Sequence, residues 1–155
     1  MSSTGLHNLD TAVQKFNLWL KELDEIYGWS NRQRTYKALS VTLHAIREHL
    51  TVAQSAHFSA QLPMIAKGIY YDGFVPSRVP VKERRLEQFY AYITDHFDQG
   101  PGGDLLNPEW IATSVFELLN RHISPGEIQD IRNELPGPVR KIWPTPGNGA
   151  AQPGA

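Results

Sequence analysis

Residues 49–63 read HLTVAQSAHFSAQLP, and residues 122–136 read HISPGEIQDIRNELP. The two stretches align without a gap at an offset of 73 residues. Thr51 and Ser124 are residue types that favour a helix N-cap. Gln54 and Glu127 follow three positions later, which is the spacing of a capping box. Each stretch then ends in Leu-Pro, where proline interrupts a helix. In this alignment the N-cap positions coincide, and so do the prolines that interrupt a helix. This coincidence indicates an internal repeat.

The equivalence continues on both sides of these stretches. Leu43 falls on Phe116, and apolar residues recur at helical spacing along both halves. Tyr70 falls on Trp143, so an aromatic residue is expected to close the core of each half. We therefore predict an all-α fold, a compact domain of two tandem, similar units with about four helices each. Its expected parts are a flexible N-terminus (1–8), a first unit (9–71), a linker (72–79), a second unit (80–143) and a disordered tail (144–155).

Turn and cap signals set the expected helix boundaries. The first helix is expected to end at Gly28, because a left-handed residue commonly stops a helix there. Ser30 with Gln33 predicts a capping box for the second helix. Pro80 is expected to start the first helix of the second unit. Asn107, which precedes a proline, is expected to cap the start of the next helix. The inner face of the second helix is expected to contain Tyr36, Leu39, Leu43, Ile46 and Leu50.

The composition excludes several classes of protein. The chain has 155 residues, no cysteine and a net charge of −1, which excludes disulfides and thiol catalysis and gives no sign of a polyelectrolyte. There is no run of 18 apolar residues, so no membrane span is expected. The first residues lack a basic region followed by an apolar stretch, so a cytoplasmic location is expected. No motif predicts a nucleophile or a phosphate-binding loop, and we expect no cofactor.

Several strings carry a family resemblance: QLPMIAKGIYYDGF at 61–74, PSRVPVKER at 76–84, HISPGEI at 122–128 and the pair Gly28-Trp29. They resemble the signature of the bacterial family called domain of unknown function 2267, over about residues 9–143. The resemblance implies an all-helical, cytoplasmic bacterial protein without an assigned reaction. It also raises a role in stress physiology, for which no residue argues independently.

Charge and aromatic residues concentrate where the two units join. Residues 28–85 carry a net charge of +6, and the remainder carries −7. Three cations recur at spacings of four and three, which predicts a basic stripe near a helix start; the alternative is an ordinary solvated face. Residues 70–85, which we call the joint, also hold aromatic and acidic residues without a repeat equivalent. The candidate binding residues of the joint are Tyr71, Asp72, Arg78, Lys82, Arg84 and Arg85.

Three functions remain open on these residues. The first is a non-enzymatic adaptor that binds a protein partner through the groove between the units and the joint, with a homo-oligomer as a further state. The second is an anionic ligand or nucleic acid bound by the basic stripe at 78–85, which is not favoured because no nucleic-acid motif accompanies it. The third is a metal-dependent enzyme that uses His44, Glu48 and His57. No catalytic residue is assigned.

Overall fold

The computed structural model describes residues 4–97 and 107–146. These residues form eight α-helices, a 3-10 turn at Pro76–Arg78 and no strand, so the predicted all-α fold is confirmed. The helices are α1 (His7–Tyr27), α2 (Arg32–Glu48), α3 (Val52–Ser59), α4 (Met64–Tyr71), α5 (Leu86–His96), α6 (Pro108–His122), α7 (Pro125–Glu134) and α8 (Gly137–Ile142). α1 begins inside the segment that we expected to be flexible. Most of the expected tail, from residue 147 on, lies outside the described residues.

The order of helices in the first half recurs in the second half. α3 begins at Val52 and α7 begins at Pro125, 73 residues later. α4 begins at Met64 and α8 begins at Gly137, at the same offset. α5 departs from this pattern, because it begins later than its counterpart α1. The duplication itself stays a prediction, which these boundaries support.

One hydrophobic core joins the two halves. α2 and α6 lie at its centre, because they contact each other and both contact α1 and α5. The predicted inner face of the second helix is confirmed at the buried Leu39, Leu43, Ile46 and Leu50. The prediction is wrong at Tyr36, which is 43% exposed. Its ring meets Phe16 edge-on at 6.3 Å, so its apolar body covers the core while the remainder faces solvent.

Two buried aromatic residues lie at the ends of α4 and α8, as the repeat predicts. Tyr70 is fully buried, and its hydroxyl is 2.7 Å from the Ser55 hydroxyl. Trp143 is 1% exposed and stacks on Phe116 with a centroid separation of 4.2 Å. Its indole Nε1 donates to Oδ1 of Asn120 at 2.9 Å. Each residue therefore combines apolar burial with a partner for its polar atom.

The start of α2 differs from the prediction by one residue. Gly28 ends α1 in the left-handed conformation, as expected. Asn31, and not Ser30, is the N-cap of α2, and its side chain accepts from the backbone N–H of Arg34 at 3.1 Å. The backbone N–H of Asn31 donates to the Asp24 carboxylate at 3.1 Å. Because this contact ties Asn31 to the end of α1, the predicted Ser30–Gln33 capping box does not form.

The two predicted capping boxes of the repeat have different outcomes. The box at the start of α3 is confirmed, since Thr51 and Gln54 each bond the other's backbone N–H. At the start of α7 the N-cap is Ser124, but its side chain makes no cap hydrogen bond. The Glu127 carboxylate instead contacts Nε2 of His57 at 2.6 Å. A long-range partner has therefore replaced the local one.

This difference predicts unequal effects of two equivalent substitutions. Thr51→Ala is expected to lower the free energy of unfolding by about 1 kcal/mol, the usual loss for an N-cap. Ser124→Ala is expected to change it by less than about 0.5 kcal/mol, because no cap bond is lost. Urea denaturation of both variants measures this. Equal losses would show that Ser124 caps α7 in solution.

Candidate functional site

A cleft of about 550 Å³ lies between the joint, the C-terminal end of α2 and α5. This volume is within the range of small-molecule and peptide-side-chain pockets. Both apolar and charged side chains line it. The lining residues are Arg47, Glu48, His49, Gly73, Phe74, Val75, Arg78, Val79, Val81, Glu83, Gln88, Tyr92 and His96.

The joint is held against α2 by backbone contacts, which corrects one predicted boundary. The N–H of Val81 donates to the carbonyl of Glu48, the last residue of α2, at 2.8 Å. The backbone at Val81 is therefore hydrogen-bonded to α2 and is not helical, although we expected a helix to begin at Pro80. α5 begins at Leu86 instead, and Arg85 before it is extended. The predicted helical stripe of cations does not form, because residues 79–85 are not helical.

Arg47 forms the inner wall of the cleft. Its side chain is 6% exposed. Its Nη1 donates to the carbonyl of Tyr70 at 2.9 Å and to that of Asp72 at 2.8 Å, which closes the end of α4. The guanidinium also lies over the Phe74 ring at 5.6 Å. Within residues 4–97 and 107–146, no carboxylate forms an ion pair with Arg47. A guanidinium is always charged, so this wall carries a buried positive charge.

His49 is the second polar group in this wall. It is 5% exposed, and its ring lies 5.9 Å from the Phe89 ring. Burial lowers the pKa of His49 to about 4, and the nearby Arg84 charge adds to this effect. The imidazole is therefore neutral at neutral pH. Its Nδ1 is buried without a hydrogen-bond partner, which is an unfavourable arrangement for a polar atom.

α5 supplies the opposite wall through Tyr92 and His96. The two rings stack with their centroids 4.0 Å apart. Burial raises the pKa of Tyr92, and the Glu48 charge adds to the rise, while Arg47 and Arg78 oppose it. The phenol therefore lies among two cations and one carboxylate. All three charges lie close enough to Tyr92 to affect its pKa.

Of the candidate binding residues, Arg78 lines the cleft. Tyr71 is half-buried behind it, where its hydroxyl accepts from Oγ of Ser59 at 3.0 Å. Asp72 has an exposed side chain, and its carbonyl is the part that contacts Arg47. The structure therefore places these three around one end of the cleft but gives them different environments.

The three candidates beyond Pro80 are exposed. Arg85 forms an ion pair with Glu83 at 2.9 Å, so that cation is partly neutralised. Arg84 lies close enough to His49 to lower the pKa of its imidazole. Lys82 is exposed between Val81 and Glu83 and does not line the cleft. Arg47 and His49, which do line it, were absent from our candidates, because their burial follows from packing of the joint and α5 on α2.

The residues of the predicted metal site have separate partners. Nε2 of His44 lies 2.7 Å from the carbonyl of Ile69, and Glu48 lines the cleft. His57 contacts Glu127 across α3 and α7. In the described part of the chain, the group with metal-like spacing is a different one: ligand atoms of His57, Glu127 and Asp130 lie within 4.8 Å of one another.

These features define a small all-α protein with one shared core and a charged cleft at the joint of its two halves. The family model for an uncharacterized conserved protein, domain of unknown function 2267, matches residues 16–142, so the chain belongs to this family. A search of curated proteins finds no match. Among the residues described, no helix has the length and apolar character needed to cross a membrane.

Proposed function

We propose that this protein is a non-enzymatic interaction module of the bacterial cytoplasm, which binds a protein partner through the cleft and the joint. The observation that carries this proposal is the make-up of the cleft. Phe74, Val75 and Val79 provide apolar surface beside Arg78 and Tyr92. Arginine and tyrosine are the residue types that most often anchor protein interfaces. Val75 is exposed, so part of this apolar surface is available to a partner.

Chemistry at the cleft has less support than binding. The residues that line it include no serine, threonine or cysteine, so nucleophilic catalysis has no candidate there. His96 lines the cleft, but its Nδ1 contacts the carbonyl of Tyr92 at 2.8 Å, and His49 is buried. These positions suit recognition better than proton transfer to a substrate.

Nucleic-acid binding has less support as well. The helical stripe of cations is absent, and Arg85 is paired with Glu83. Glu48 and Glu83 line the same cleft as Arg47 and Arg78. A phosphate backbone needs a surface of one sign, whereas this surface has both. A protein segment with both polar and apolar side chains matches it better.

Removing three cations of the joint tests the proposal. The triple variant Arg78→Ala, Arg84→Ala, Arg85→Ala is expected to keep its circular dichroism and melting temperature, because all three side chains are exposed. Recovery of a cross-linked partner from native cells is expected to fall at least about tenfold, the effect of losing one interface anchor. Quantitative mass spectrometry of wild type and variant gives the ratio.

A matched variant controls for the loss of charge. Lys15→Ala, Lys21→Ala, Arg32→Ala also removes three exposed cations, from α1 and the start of α2. It is expected to recover the partner as wild type does. Equal recovery by the joint variant and wild type would refute the proposal, as would a wild-type protein that cross-links to no specific partner.

A further inference from the structure

Resting on that proposed function, we propose that the cleft recognises a carboxylate on the protein partner, namely an aspartate or glutamate next to an apolar residue. Arg47 and Arg78 would hold the carboxylate, and Phe74 and Val75 would contact the neighbouring apolar side chain. This assigns a binding role to Arg47 in addition to its contacts at the end of α4.

The geometry of Arg47 carries the first step. Both of its bonds to carbonyls come from Nη1, which has two hydrogens. The opposite edge of the guanidinium, formed by Nε and Nη2, donates to no carbonyl or carboxylate of the described residues. The Tyr92 phenol is hydrogen-bonded to the guanidinium and is its neutral side-chain partner. A guanidinium edge of this kind accommodates a carboxylate through two parallel hydrogen bonds.

The burial of the site carries the second step. Buried charges in proteins are normally paired, whereas Arg47 is 6% exposed and has neutral partners alone, namely two carbonyls and the Tyr92 phenol. His49 adds a buried imidazole whose Nδ1 has no partner in the same wall. Because the imidazole is neutral, it does not compete with a guanidinium for an anion. The wall therefore contains one buried cation and one unsatisfied polar group.

Glu48 decides between two kinds of anion. It lines the cleft together with the two arginines, and among the described residues it forms no ion pair. A single carboxylate balances the remaining positive charge, since Glu83 is already paired with Arg85. A phosphate dianion brings a second negative charge toward Glu48, which is repulsive. The charges therefore favour a carboxylate over a phosphate.

Nuclear magnetic resonance with short blocked peptides tests this inference on the full chain. The probe is acetyl-Leu-Glu-Leu-amide, and its matched control is acetyl-Leu-Gln-Leu-amide. The glutamate peptide is expected to shift the Arg47 Nε–H signal and the amides of residues 73–79 saturably. The glutamine peptide is expected to bind at least about tenfold more weakly, as loss of a charge-assisted pair implies. Equal binding of the two peptides, or no binding of either, would overturn the inference.

Two variants keep the test independent of folding defects. Arg47→Ala removes the clamp on α4 and is expected to destabilise the protein, so Arg78→Gln is the primary variant for binding because it is exposed. This variant is expected to weaken binding of the glutamate peptide at least about fivefold, within the usual effect of a charged hydrogen bond. Glu48→Gln is expected to strengthen binding of the glutamate peptide and to allow inorganic phosphate to bind. Wild-type protein that binds phosphate as tightly as the peptide would overturn the choice of carboxylate.

The outcomes separate this inference from the proposed function. If the glutamate peptide fails to bind while the triple variant of the joint still loses its partner, the module is retained and the carboxylate is rejected. If the peptide binds with the expected selectivity while the triple variant keeps its partner, the cleft recognises a carboxylate outside a protein interface, and the proposed function is rejected.

Discussion

Trp143→Ala is expected to lower the free energy of unfolding by about 3–5 kcal/mol, the range for truncating a large buried aromatic residue. Trp143 follows α8 and is nearly completely buried. The substitution leaves a cavity against Phe116, which stacks on the indole. It also leaves Oδ1 of Asn120 without the indole N–H that it accepts. Loss of packing and loss of a buried hydrogen bond therefore act together.

Urea denaturation of wild type and variant measures this effect. Leu18→Ala is the control, because Leu18 is 52% exposed on α1 and is expected to cost less than about 0.5 kcal/mol. A loss below about 1 kcal/mol for Trp143→Ala would mean that Trp143 does not pack on Phe116 as the structure places it. The prediction also bears on the repeat, since Tyr70 holds the equivalent place at the end of α4.

Acidification from about pH 6.5 to about pH 4 is expected to remove roughly 3 kcal/mol of stability through His49, at 1.36 kcal/mol per pKa unit. The pKa of His49 is lowered from 6.5 to about 4 in the folded protein. Between these values the unfolded chain binds a proton that the folded chain does not bind. Falling pH therefore favours the unfolded state across this window, with no further change below it.

Replacing the imidazole isolates this contribution from those of other groups. His49→Gln is expected to be less stable than wild type near pH 7 but to lose less stability on acidification. His57→Gln is the control of opposite sign. Contact with Glu127 raises the pKa of His57, so its contribution is present below its unfolded pKa and disappears as pH rises through the folded value. Denaturation curves at several pH values compare the three proteins, and parallel curves for wild type and His49→Gln would refute the assignment.

Local signals were enough to predict the helical architecture. Gly28 ends α1, Thr51 caps α3 with Gln54, and Asn107 caps α6 by accepting from the N–H of Trp110. Each of these contacts joins residues within four positions of each other, so the residues that make it are adjacent in the chain. The periodic apolar positions of α2 and α6, except Tyr36, are buried for a related reason, because their spacing puts them on one face of each helix.

The candidate residues taken from the sequence include one residue that lines the cleft and omit two that form its buried wall. A cleft lies beside the joint, and Arg78 lines it. Arg47 and His49, which also line it, were not among the candidate residues. Their roles depend on the carbonyl of Asp72 and the ring of Phe89, which lie 25 and 40 residues away along the chain. Local sequence patterns do not predict contacts between residues so far apart in the chain.

The failures of the local predictions share this cause. Glu127 has the spacing of a capping-box acid, yet its carboxylate contacts His57, 70 residues away. Pro80 has the character of a helix start, yet the next N–H donates to the end of α2. Residue types and spacing therefore determine which helices form and which faces they bury. Where a polar group has both a local and a distant partner, packing of the helices determines which one it contacts. The cleft is built from contacts between residues that are distant in the chain.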